Sequence, residues 1–432
     1  MPLFALLISF IVLILLMVRV KLNAFFALLI ASIVVGILTR MSAGDLLKSI
    51  TYGIGDTMSS LVLIITFGAM LGKILQESGA AYQITYTIIN KLGAPRIQVA
   101  ILLAGFIIGI PMMYNASFLV LIPIVYTFSY VSRVPLLQLG IPLSASLSVA
   151  HGFLPPHPAP VAVADMFHAD INMVFLLGLI LSVPAVLFTG VIMPRYFRSV
   201  NVGIPEHLFK PYIHDPENSP SFLLSLFCAV FPFLLMATAA VSPKEFEVIR
   251  IVGSPSVSLF LAVMVGLYLL GVRSGKPMDT LMRNMGEAAS SVVMIILIIA
   301  AGGAFKQVLT DGGAAGYIRD HAITFDVNPL VLGFSLAALI RLMLGSATVA
   351  TITAAGIMAP VVASTNVSAE LLVLATGSGS LMFSHFNDIG FWMFKEYYNV
   401  SIKQTFQIWT VMECIVGLTG LAGCLAIDYF FY

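Results

Sequence analysis

Long charge-free apolar runs alternate along the chain with short polar breaks. Pro2–Val18, Leu22–Thr39 and Ile171–Met193 carry no charged side chain, and Thr405–Ile427 carries one, Glu413. Each run reaches the ~17–25 residues a helix needs to cross the hydrocarbon of a bilayer, so these segments predict membrane-spanning helices. Arg19, the first cation, follows the first run instead of preceding it. That order fits a retained first span, not a cleaved leader.

Other apolar stretches are interrupted. Ile97–Tyr130 and Pro329–Thr365 read as re-entrant hairpins that enter and leave on one side, with tips at 110–117 and 344–348. Leu136–His168 and Ser368–Tyr397 read as crossings broken midway, at 151–160 and 384–390. Four prolines fall between 155 and 160; lacking an N–H and clashing with the preceding turn, they cannot continue a helix.

The chain also resembles itself at a shift near 234 positions. Lys73-Ile74-Leu75-Gln76-Glu77-Ser78-Gly79 corresponds to Gln307-Val308-Leu309-Thr310-Asp311-Gly312-Gly313, Asn115-Ala116-Ser117 to Ser346-Ala347-Thr348, and His151 to His385. The polar, Pro-rich stretch Arg195–Pro220 reads as the join, giving a first transmembrane repeat at 1–200, a cytoplasmic linker at 201–220 and a second repeat at 221–432. With five crossings and one hairpin per half, an odd number of crossings inverts the second repeat. Cytoplasmic loops collect Lys and Arg, and this layout places 14 of the 21 inside and 6 outside, with Arg341 within a hairpin. The expected fold class is therefore an all-α polytopic membrane protein of two inverted repeats, with broken helices at the midplane.

Inside hydrocarbon, irregular backbone survives only where it lines a protein cavity. Paired breaks in matching places of two halves point to a transport site, and bare helix N-termini there favour an anionic group. The candidates that bind substrate are Asn115, Ser117, His151, His157, Ser346, Thr348, His385 and Asn387, whose hydroxyl, amide and imidazole groups suit a hydroxylated acid. Capping is the bland alternative for Asn115, Ser117, Ser346 and Thr348, and support of the Pro-rich turn for His151 and His157. Asp388 is harder to explain as filler, because intramembrane charges are costly and usually functional. It is expected to carry a coupling proton, since a water-poor setting disfavours an ionised carboxylate. The rival expectation pairs Asp388 permanently with Arg341. Glu413 fits a pair with a neighbouring helix.

Composition narrows the function further. Hydrophobic residues make up 59% of 432 positions and charged residues 9%, against roughly 25% charged in soluble domains. The net charge of +1 gives no reason to expect nucleic acid. Cys228, Cys414 and Cys424 lie in apolar stretches without metal-type spacing, so no disulfide frame or metal site is expected. No Walker loop and no His-Glu-x-x-His occurs, which argues against ATP hydrolysis and metalloproteolysis. An enzyme is not expected, and no cofactor. A channel is the rival outside carriers.

His151-Gly152-Phe153-Leu154-Pro155-Pro156-His157-Pro158 resembles the gluconate permease family of the ion transporter superfamily. Gly302-Gly303-Ala304-Phe305-Lys306, Leu344-Gly345-Ser346-Ala347-Thr348 and Gly377-Ser378-Gly379-Ser380, followed by His385 and Asn387-Asp388, extend the resemblance over the whole chain. It implies proton-coupled import of gluconate or a related small hydroxylated acid through a bacterial inner membrane, by a homodimer. Carriers of idonate and D-serine are relatives, so a D-serine-type or Na⁺-coupled carrier is the alternative. The gluconate carriers have Phe-Tyr-Glu-Val-Gly at the first tip, where this chain has Met113-Tyr114-Asn115-Ala116-Ser117. No acid remains there, which leaves Asp388 as the leading proton candidate.

The layout predicts that a single cysteine at Arg40 or at Asp320 reacts with an impermeant thiol reagent from outside, whereas one at Arg283 does not. External labelling at 283 refutes the inverted arrangement.

Overall fold

The computed structural model describes residues 8–9, 11–200, 202–205, 219–243, 245–313, 327–362, 365, 367–385 and 388–431. These are helical throughout, with no strand among the described residues. In the first half, α1 (Ala24–Leu38) is followed by the long α2 (Ala43–Glu77), α3 (Ala80–Leu92), α4 (Ile97–Gly109), α5 (Tyr114–Ser132), α6 (Leu136–Phe153), α7 (Pro158–Met166) and α8 (Ile171–Val186). The second half holds α9 (Phe222–Val241), α10 (Pro255–Gly266), the long α11 (Met278–Asp311), α12 (Pro329–Leu344), α13 (Ala347–Val362), α14 (Ala369–Gly379), α15 (Ile389–Tyr397) and α16 (Val411–Phe431).

Helix boundaries fall where local chemistry sets them. Asn23, Ser42, Asp170, Ser221, Asn328, Ser368 and Asp388 each accept a backbone N–H at the start of a helix, which satisfies a donor that has no partner inside the helix. Pro158 and Pro329 stand at the first position of α7 and α12, where a missing N–H costs nothing. Gly345 ends α12 in the left-handed region, at φ 76°, a conformation open to glycine without a Cβ clash.

Among the described residues, seven helices are long and apolar enough to cross a membrane, or eight if α2, bent by 42° near Ser60, counts as one span. α1, α4, α12, α13 and α14 are apolar but shorter. The expected breaks are present: 110–113 between α4 and α5, Gly345-Ser346 between α12 and α13, 154–157 between α6 and α7, and, of the stretch between α14 and α15, the described residues 380–385 and 388. One arm differs from expectation, since α5 alone is long enough to span. The Pro155–Pro156 peptide is cis.

Burial divides the helices into two groups. The stretch Leu136–Met166 is 94% buried, against 39% for Ile171–Phe197 and Phe222–Val241, so α6 and α7 lie inside the protein while α8 and α9 present Ile180, Val183 and Leu223 outward. α13 and α14 are almost wholly enclosed as well. α4 packs on α6 and α12 on α14, so matching pairs recur in the two halves, while α2 packs along α11 and joins them.

That last contact is built on glycine. A Cβ on Gly53 would lie 2.5 Å from the Gly303 carbonyl oxygen, and one on Gly303 would lie 2.7 Å from the Gly53 carbonyl oxygen. Close backbone approach of this kind needs small residues. Gly53→Val is expected to destabilise the protein by about 1–3 kcal/mol through overpacking, read as a lower melting temperature in detergent. Gly55→Val on the same helix, where a Cβ meets nothing within 4 Å, serves as the control and should melt like the unmodified protein.

Candidate functional site

Three of the breaks bring helix N-termini together: the start of α5 has no side-chain cap, that of α13 is capped by the Ser346 hydroxyl at 3.4 Å, and that of α15 by Asp388. A cavity of about 380 Å³ lies where the starts of α5, α13 and α15 meet α6, α12 and the segment 406–413. Met113, Tyr114 and Asn115 come from the first tip, Gly345 to Val349 from the second, and Asp388 to Gly390 from the second broken crossing. The first N–H groups of a helix have no intrahelical acceptors and carry partial positive charge, so three such ends aimed at one space favour an anion.

Arg341 supplies a full charge beside them. It stands in the last turn of α12, 3% exposed, and its Nη2 donates to Asp388 Oδ2 at 2.6 Å. The same oxygen accepts from the Ser384 hydroxyl at 2.5 Å, and Oδ1 accepts from the Gly390 amide at 3.1 Å as the cap of α15. Ser384 is fixed in turn, because Trp409 Nε1 donates to its hydroxyl at 2.7 Å and Thr410 donates to its carbonyl at 2.5 Å. Trp409 and Thr410 share a widened π turn, Phe406–Thr410, an irregularity frequent at functional sites. Asp388 thus has both oxygens engaged, whereas Arg341 is held by one nitrogen. Its Nε and Nη1 are buried with no partner among the described residues.

The histidines form a short chain. His157 Nε2 lies 2.9 Å from the Gly109 carbonyl, which can only accept, so this nitrogen carries the proton. His157 Nδ1 is then an acceptor, and His151 Nδ1 donates to it at 3.1 Å. His151, which lines the cavity, keeps Nε2 as an acceptor suited to a hydroxyl. Burial of the pair under the Pro-rich turn fits two neutral rings joined in this order.

Of the residues expected from sequence to bind substrate, Asn115, His151, Ser346 and Thr348 line the cavity, as does Asp388. Ser117 lies behind the first tip, fully buried, and donates to the Met112 and Met113 carbonyls at 3.2 and 3.1 Å. His157 stands behind His151. His385 donates to the Leu342 carbonyl at 3.0 Å, tying the broken crossing to the end of α12. Asn387 lies outside the described residues.

Tyr114, Ser148, Trp409 and Glu413 join the lining without having been singled out for it by sequence. Ser148 sits three positions before His151, one turn along the same face of α6, a spacing that could have flagged it. Tyr114 adjoins Asn115, stacks on Phe118 and meets the edge of Trp409 at 5.8 Å. Its hydroxyl is buried without a partner among the described residues.

A polar cavity bounded by broken membrane helices fits a polytopic membrane permease. The chain belongs to the GntP family permeases, whose family pattern it matches over residues 1–430. It is 42% identical over 435 residues to the high-affinity gluconate transporter of Escherichia coli K12, covering 99% of each chain. It is likewise 42% identical to the Gnt-II system L-idonate transporter of that organism, again with 99% of each covered. It is 38% identical over 445 residues to the gluconate permease of Bacillus subtilis 168, with the same coverage. Among solved structures, the YdaH transporter of Alcanivorax borkumensis shares the fold with a TM-score of 0.67 over 90% of each chain at 15% identity. MtrF of Neisseria gonorrhoeae does so at 0.64 over 91% and 86%, with 16% identity. The resemblance expected from sequence is thereby borne out, together with the all-α membrane fold and residence in the bacterial inner membrane.

Breaking a buried pair by removing one partner leaves an uncompensated charge and costs about 3–5 kcal/mol. Asp388→Ala should therefore melt far below the unmodified protein. Equal melting temperatures would show that Arg341 does not depend on Asp388.

Proposed function

We propose that the protein imports gluconate or a closely related small hydroxylated carboxylate by proton symport. The observation that carries this is Arg341. A buried guanidinium whose Nη2 is taken by Asp388 keeps Nε and Nη1 without partners among the described residues, beside the starts of three helices, and a charged donor group so placed suits a carboxylate. The polar groups around it suit a chain of hydroxyls: Asn115, Ser346, Thr348 and Tyr114 can donate, and His151 Nε2 can accept. The relatives named for gluconate and idonate support the substrate class. In this arrangement Asp388, expected from sequence to carry the proton, orients Arg341.

The halves 1–200 and 221–432, joined by 201–220, are proposed to be inverted repeats acting as a homodimer. Supporting the repeat, the long α2 and α11, the split pairs α4–α5 and α12–α13, and the broken crossings α6–α7 and α14–α15 recur in the same order. One observation favours a second reading. Glu413 shares the cavity with Arg341, and an acid and a cation on one wall also fit a zwitterion such as D-serine.

Labelled gluconate should enter proteoliposomes containing the purified protein when the outside is made acidic, and an imposed Na⁺ gradient should add nothing. D-serine in excess should not compete; accumulation of D-serine with exclusion of gluconate would establish the second reading. Each hydrogen bond lost to a substrate hydroxyl is worth about 0.5–1.5 kcal/mol. Ser346→Ala and Thr348→Ala should accordingly weaken the apparent affinity for gluconate roughly two- to tenfold, the Thr348 variant with its melting temperature unchanged. Wild-type affinity in both variants would move the hydroxyls elsewhere.

A further inference from the structure

We infer that Glu413 is the group that binds the coupling proton, taking it up as the anionic substrate settles on Arg341. The inference rests on the symport proposed above and names the residue that performs it. Glu413 lies in the first turn of α16, 2% exposed, and lines the same cavity as Arg341 and Asp388. The Ser148 hydroxyl stands beside its carboxyl group, yet Oε1 is buried with no hydrogen-bond partner among the described residues. Asp388, the other acid of the cavity, has both oxygens engaged and a cation against it.

The charges facing Glu413 determine what a proton there does. Arg341 comes from α12, Asp388 from the start of α15, His151 from α6 and Tyr114 from the first tip, with Cys414 next to it on its own helix. The other elements packed on α16 add little: α8 and the turn 187–192 have no charged residue. The one acid of α14, Glu370, is engaged at the far end of that helix by Ser368 and the Asp170 amide. Arg341 and Asp388 neutralise each other, so Glu413 decides the net charge of the cavity. An ionised Glu413 leaves the cavity negative and repels an incoming carboxylate; a protonated one leaves it neutral and supplies an O–H donor. The converse follows from linkage, because an anion that binds better to the protonated state must raise the affinity for the proton by the same factor. An isolated buried carboxylate with an open lone pair is unfavourable, so the proton is favoured within the cavity and released when water reaches Oε1. The affinity for the anion is therefore full at acidic pH and falls as rising pH ionises Glu413.

Proteoliposomes with purified full-length Glu413→Gln test this. A pH difference of about one unit corresponds to about 1.4 kcal/mol, or tenfold accumulation by one-proton symport. The Gln variant should lose that accumulation, still exchange labelled for unlabelled gluconate, and bind gluconate with an affinity that no longer depends on pH. Tenfold accumulation by the variant overturns the assignment. So does loss of exchange in a variant that melts like the unmodified protein, which would make Glu413 a solute ligand. Should the Gln variant fail to fold, Glu413→Asp decides: a displaced pH profile of affinity supports the assignment, and an unmoved one overturns it. Failure of the unmodified protein to accumulate gluconate is a different result, which removes the substrate and leaves the pH profile to be measured with the acid that is taken up.

Discussion

A backbone amide or carbonyl without a partner in hydrocarbon costs several kcal/mol, and this constraint organises the protein. The breaks at 110–113, 154–157, 345–346 and 380–385 each interrupt a helical hydrogen-bond ladder. Such segments persist only where protein surrounds them. That is why α6, α13 and α14, which adjoin them, are the most enclosed helices, while α8 and α9 meet the exterior. Enclosing the breaks and creating a cavity lined by helix N-termini are one event. The preference of the cavity for an anion follows from how the backbone was made to bend.

Arg341 extends the same logic to a side chain. A guanidinium at 3% exposure must be paired, and the desolvation of a buried pair consumes much of its attraction. Stability is thus a poor account of why the pair is there. Orientation is a better one: Trp409 and Thr410 fix Ser384, Ser384 and the Gly390 amide fix Asp388, and Asp388 fixes one end of the guanidinium. Each member has its rotamer set by the next, so the nitrogens left over are presented in a defined plane. That preorganisation lowers the entropy cost of binding a planar carboxylate.

The sequence made the membrane helices and their interruptions legible, because proline, glycine and charge-free runs act locally. Gly345 in the left-handed region and the prolines at 155–160 mark two breaks without any tertiary information. It was much less able to say which face of a helix meets the cavity. The polar residues of α5, α6 and α16 are few and scattered among apolar ones, so no clear hydrophobic stripe distinguishes the inside. Ser117 and Asn115 are two positions apart at one tip, yet the first seals the turn and the second lines the cavity. The pairing of Asp388 with Arg341 joins residues 47 apart and depends on α15 starting where it does. Glu413 was visible as an intramembrane acid, but its setting beside Ser148 and across from Arg341 comes from three separate helices.

How the two halves are joined bears on what the cavity can do. A second cavity of about 220 Å³ touches the first at Met113 and extends to Lys73 on α2 and Glu287 on α11. Lys73 lies 3.3 Å from Glu287 and 3.1 Å from Glu77, with the acids roughly half exposed. An ion pair at that exposure is worth about 0–1 kcal/mol, too little to lock α2 against α11. The crossing at Gly53 and Gly303 is of another kind, since backbone meets backbone there and any added carbon collides. Along one interface, therefore, a tight glycine contact and a weak polar contact lie on different turns of the same two helices. A join that is close at one point and loose at another resists separation more than it resists tilting. The loose end borders the smaller cavity, which shares Met113 with the space where Arg341 is held.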